Sequence, residues 1–102
     1  MTFFTESALD LEDVISEVSG KEMGAVVTFL GCVRDTEEGT PIRSITYEAY
    51  TSMANMEFKK LVEEIENAHR VKIALRHRVG KVPVSEASLA VACAGKHRKE
   101  TF

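Results

Sequence analysis

Tryptophan is absent from the 102 residues, cysteine, proline and tyrosine occur twice each, and aromatic residues make up only 7%. The two cysteines, Cys32 and Cys93, are far apart, share no CxxC spacing and each fall inside an apolar, strand-like run. That excludes a disulfide framework and gives no zinc-ligand pattern, so both are expected as buried, reduced thiols, with no metal site. No apolar run approaches the ~20 residues of a bilayer span. The opening Met1-Thr-Phe-Phe-Thr-Glu has neither the basic start nor the long apolar segment of a signal peptide, so a cytoplasmic location is expected. A nucleophile-elbow serine, a glycine-rich phosphate loop, an HExxH pair and paired carboxylates at a catalytic spacing are also missing.

What is present suffices for one domain. At this length, with 44% hydrophobic residues, a chain buries roughly 60 to 70% of its extended surface without metal or disulfide support. The net charge of -3 is unevenly spread. Residues 1–51 carry three Lys/Arg against ten Asp/Glu, and residues 52–102 carry ten against six. The cations gather in two knots, Arg70 to Lys81 and Lys96 to Lys99, which suit a phosphate-bearing small molecule or an acidic protein partner. The acidic overall balance and the lack of a nucleic-acid-binding signature argue against nucleic acid.

Taken in order, Asp10 is a plausible N-cap for a short amphipathic helix in which Leu11, Val14, Ile15 and Val18 share a face, ended by Gly20. Gly24 to Asp35 is apolar and β-branched until Arg34 and Asp35, and reads as a buried strand that delivers an arginine to a site. Gly31 within it signals a bulge or a close approach. Asp35 to Pro41 is a polar, acidic loop and a candidate flap beside Arg34. Ile42 to Tyr50 is a strand with one wet face, and Ser52 to His69 is the longest helix, with an apolar stripe of Phe58, Leu61, Val62 and Ile65.

Val71 to Val79 alternates between an apolar set and a set carrying Lys72, Arg76 and Arg78, so either solvent or something acidic lies on that second face. His77 belongs to the apolar set and reads as a hydrogen-bonded core histidine. Gly80 to Glu86, with Pro83, is a turn or a short excursion. The strand from Ala87 has a face of only small residues, Ser88, Ala90, Ala92 and Ala94, which lets another element pack close. After Gly95, the polar segment containing His97 and Arg98 is expected near a helix N-terminus, where an anion is favoured. The element order lacks regular strand-helix alternation, so the fold class is α+β with a mixed or antiparallel sheet, one long helix and one short one. If Arg34 and the His97-Arg98 pair converge, their charge-assisted donors form an anion pocket, with His97 able to move protons near neutral pH.

Four segments carry a family resemblance: Gly24 to Arg34 (GAVVTFLGCVR), Ile45 to Met53 (ITYEAY followed by Met53), His77 to Gly80 (HRVG) and Lys96 to Arg98 (KHR). In this order and spacing they resemble the large, catalytic subunit of molybdopterin synthase over nearly the whole chain. The resemblance implies an α/β hammerhead fold, residues 1–102 as a single domain, and a homodimer of large subunits. It further implies that a small ubiquitin-like sulfur carrier docks on each, threading a Gly-Gly thiocarboxylate into the pocket. The implied reaction is sulfur transfer to cyclic pyranopterin monophosphate, giving the molybdopterin dithiolene, with no metal or other cofactor. Arg34 matches the family's active-site arginine and Phe29 its phenylalanine, while His97 and Arg98 match its substrate-anchoring pair; Arg34 and His97 are the expected catalytic residues. The family's lysine-rich C-terminal segment has no counterpart here, and Lys96 and Lys99 do not take its place. The alternative expectation is therefore a non-catalytic relative that binds the carrier or an anionic ligand without turnover.

Overall fold

The computed structural model describes residues 3–48 and 51–102. In chain order the elements are β1 (Phe4–Thr5), α1 (Leu11–Val18), β2 (Ala25–Cys32), β3 (Thr36–Glu37), β4 (Thr40–Pro41) and β5 (Ser44–Tyr47). They continue with α2 (Thr51–His69), β6 (Lys72–Arg78), β7 (Gly80–Pro83), β8 (Ala87–Gly95) and α3 (Arg98–Thr101). The α+β class and the mixed sheet are as expected. The main sheet runs β1-β6-β8-β2, with β1 parallel to β6 and the other neighbours antiparallel.

The core lies on one face of this sheet. Asp10 caps α1, its carboxylate accepting from Glu12 N at 3.0 Å, and the helix lays Val14 and Val18 onto Ala74, Ala90, Ala92 and Ala94. The small face of β8 is therefore what admits α1. The cationic face of β6 proves to be this same covered face: Ala74 is buried on it, and Arg76 is answered by Glu17 of α1 at 2.7 Å.

The long helix α2 serves the other side and one edge. Phe58 stacks on Phe4 with ring centres 5.5 Å apart and meets Phe3 edge-on. Asn55 accepts from Phe3 N, and Glu66 accepts from Ile73 N. Two backbone donors on the β1-β6 edge, Phe3 N–H and Ile73 N–H, are thus covered by α2 side chains. Leu61 and Ile65, expected in the apolar stripe, remain largely exposed.

Three expectations need correction. The run from Gly24 is not a buried strand: β2 is the outer strand of the sheet, and Val26, Phe29 and Leu30 are exposed. Consequently Cys32 is exposed and Cys93 only half-buried. Gly80–Pro83 is not a turn but a strand paired with β5. The acidic loop also folds further than expected, into a β3-β4 hairpin. Ala49 and Tyr50, expected to end a strand, lie outside the described residues.

Candidate functional site

Arg34 follows β2 by two residues. The ladder between β2 and β8 shifts register between Gly31 and Cys32, where Ser88 of β8 is the extra residue, so the irregularity lies beside the glycine that signalled it but on the neighbouring strand. Beyond it, Val33 is buried and pinned on both sides, its N–H donating to Glu86 O at 3.0 Å and its carbonyl accepting from Ser85 N at 2.8 Å. The anchored valine leaves the next side chain outside: the Arg34 side chain is 74% exposed, and its Nη2 lies 2.7 Å from Glu37 Oε2. Glu37 carries no signal in the sequence, because a three-residue spacing brings side chains together on a helix and this segment reads as a loop.

Phe29 sits midway along β2, opposite Val91 of β8, which in turn faces Leu75 of β6. Its ring is 59% exposed. That leaves an aromatic surface on the sheet face opposite α1, able to receive a flat ligand or a second apolar surface.

His97 and Arg98 are exposed at the other end of β8. The approach there is tight: a Cβ at Gly24 would collide with the backbone carbonyl of Lys96, so only glycine lets β2 start beside this turn. His97 is the N-cap of α3; its backbone N–H donates to Glu100 Oε1 and its carbonyl accepts from Thr101 Oγ1 at 2.7 Å. The expected helix N-terminus is therefore a single turn that supplies its own capping carboxylate, and does not by itself make an anion site. A cleft of about 390 Å³ beside α3 is lined by Ile65, His69, Val71, Cys93 and Lys99.

The structure does not bring Arg34 together with His97 and Arg98 within one copy. Gly24 N bonds Gly95 O at one end of the β2-β8 ladder, and Val33 N bonds Glu86 O at the other. Nine residues of extended strand separate these ends, roughly 25–30 Å. His77 is hydrogen-bonded as expected, with Nδ1 2.8 Å from Arg78 O and its ring against Phe4 and Tyr47, but it is half-buried rather than in the core. Among the described residues no His, Cys, Asp or Glu cluster is placed to hold a metal.

The chain matches the family model described as MoaE protein over residues 4–102. It is 41% identical over 96 residues to the human protein named molybdopterin synthase catalytic subunit, covering 93% of this chain and 51% of that one. The chain spans from about half to about seven-tenths of the length of the curated relatives it matches. Among solved structures, molybdopterin synthase from Staphylococcus aureus superposes with a TM-score of 0.92 at 26% identity, over 98% of this chain and 74% of that one. A Helicobacter pylori complex of subunits 1 and 2 of molybdopterin-converting factor superposes with a TM-score of 0.79 at 24% identity, over 96% and 67%.

Proposed function

The chain belongs to the MoaE protein family, and from that premise we propose that it acts in molybdenum cofactor biosynthesis as the large-subunit side of a molybdopterin synthase. In this role a small carrier ending in a Gly-Gly thiocarboxylate delivers sulfur to cyclic pyranopterin monophosphate. The name of the human relative, a catalytic subunit, and the two-subunit complex from Helicobacter pylori support a second subunit as partner.

The separation of Arg34 from His97 and Arg98 decides how such a site is built. Among the described residues β2 has a strand on one side only, and Val26, Phe29 and Leu30 are exposed along it. A long apolar edge strand left bare is a template for pairing with another chain. If two copies meet edge to edge about a twofold axis, their β2 strands run antiparallel. The end bearing Arg34 in one copy then lies beside the start of β2 in the other, one strand away from Gly95 and the His97-Arg98 turn.

The homodimer would thereby form two sites, each taking Arg34 and Phe29 from one copy and the His-Arg pair from its partner. In each, the Arg34 guanidinium holds the thiocarboxylate through paired, charged hydrogen bonds. His97 and Arg98 anchor the substrate phosphate, and the imidazole moves protons near neutral pH. The Phe29 ring offers its face to the pterin.

The observation that carries this assignment is the free apolar edge of β2 between the two halves of the site. Its test is to mix the chain with a carrier ending in Gly-Gly. A complex that weakens about tenfold or more on Arg34→Ala, the scale of a lost charge-assisted hydrogen bond, supports it. A carrier that binds Arg34→Ala as well as the natural chain contradicts it.

A further inference from the structure

The guanidinium assigned to the incoming anion already has one. Arg34 Nη2 and Glu37 Oε2 are 2.7 Å apart although both side chains are more than half exposed, so it is the local fold that keeps them together. Directly after Val33 the chain turns into the β3-β4 hairpin. Its tip is Glu38 at φ 48 and Gly39 at φ 82, two consecutive left-handed residues, the geometry a two-residue hairpin turn needs. Thr36 pairs with Pro41, Glu37 pairs with Thr40, and Ile42 N donates to Asp35 O at 2.7 Å. Glu37 is therefore fixed on a strand three residues from Arg34, within reach of its guanidinium. Asp35 and Glu38 flank it, yet among the described residues Glu37 is the carboxylate paired with Arg34.

We propose that Glu37 is an internal competitor for the terminal carboxylate or thiocarboxylate that Arg34 binds, so that the β3-β4 hairpin sets the threshold an incoming chain end must exceed. This rests on the assignment of Arg34 as an anion-binding residue. The side chain of Glu37 ends in the same planar, two-oxygen anion as a chain terminus, and a guanidinium offers both the same pair of donors. A ligand making a single contact with Arg34 exchanges one carboxylate for another with little gain. A chain end that also contacts the surrounding surface displaces Glu37. Because the pair is exposed it is worth little, which suits a competitor that lowers affinity without blocking the site.

The probe is a peptide ending in Gly-Gly with a free carboxylate, titrated into the full chain while the side-chain N–H resonances of Arg34 are followed by NMR. Glu37→Gln removes the competing charge and keeps the side-chain shape; Glu38→Gln removes an equal charge from the hairpin tip. The proposal expects Glu37→Gln to bind the peptide about 2- to 5-fold more tightly than the natural chain, the range of an exposed ion pair, and more tightly than Glu38→Gln. Equal affinity of Glu37→Gln and the natural chain, or an equal gain in both variants, overturns the role of Glu37 while leaving Arg34 as the binding residue. Arg34→Ala distinguishes the two levels: if it binds the peptide as well as the natural chain does, the assignment of Arg34 fails and the competitor role falls with it.

Discussion

At the residue scale, the two cysteines report how the sheet is exposed. Cys32 lies at the end of the open strand β2, whereas Cys93 is half-buried on β8. Burial, and after it the nearby Glu66 carboxylate, pushes the Cys93 thiol above its ordinary value. Alkylation needs the thiolate, so a raised value leaves less reactive sulfur at neutral pH. Iodoacetamide at pH 7 should therefore modify Cys32 well before Cys93, and Cys93 labelling should keep rising as the pH is taken above the usual thiol range. Equal rates at pH 7, read by mass spectrometry of protein labelled at a dilution that keeps it as single copies and then digested, would contradict the placement of both side chains. Neither exposure was legible in the sequence, because each cysteine sits among apolar neighbours and such a run looks the same whether one face or two are covered.

At the element scale, the helices and the small-faced strand were legible because each rests on a local period. The i, i+3, i+4, i+7 spacing of Leu11, Val14, Ile15 and Val18 fixed the face of α1, and the alternation of alanines in β8 fixed the surface it meets. That contact has a direct test. Ala92 is fully buried between Val14 and Val18 and their neighbours, so Ala92→Leu forces three extra carbons into a filled layer. A loss of about 1–3 kcal/mol in urea unfolding is expected, and an unchanged midpoint would show that α1 does not pack there. β7 was missed because Gly80 and Pro83 are turn punctuation in any local reading, and only pairing with the distant β5 makes that segment a strand. The burial of β2 was misread for a related reason. A continuous apolar strand fits the middle of a sheet, but it equally fits an edge that a second chain covers.

At the scale of the whole molecule, the surface is larger than a compact monomer of this mass exposes. The accessible area is 7260 Å² for 11.3 kDa, whereas a compact monomer of that mass exposes about 5,700 Å². The excess is of the order that one partner contributes to one or two standard interfaces, about 800 Å² each. The chain is also elongated, 44 × 27 × 23 Å, with Arg34 and His97 toward opposite ends of the β2-β8 ladder. The sequence could mark both ends of the proposed site, since Arg34 and His97 each follow the C-terminal end of a strand. It could not show that they diverge, because that depends on relative strand direction: β2 and β8 are antiparallel, so their C-terminal ends leave the sheet on opposite sides. In the proposed dimer, a second copy paired through β2 would reverse one of the two strands and restore the convergence. The most direct measurement is the distance between spin labels, one on Thr36 beside Arg34 in one copy and one on Lys99 beside Arg98 in another, in a mixture of singly labelled chains. The account predicts a defined distance between copies that is shorter than the Thr36-to-Lys99 distance within a doubly labelled copy diluted into unlabelled chain. No dipolar signal between copies, or a longer distance between them than within one, would contradict it.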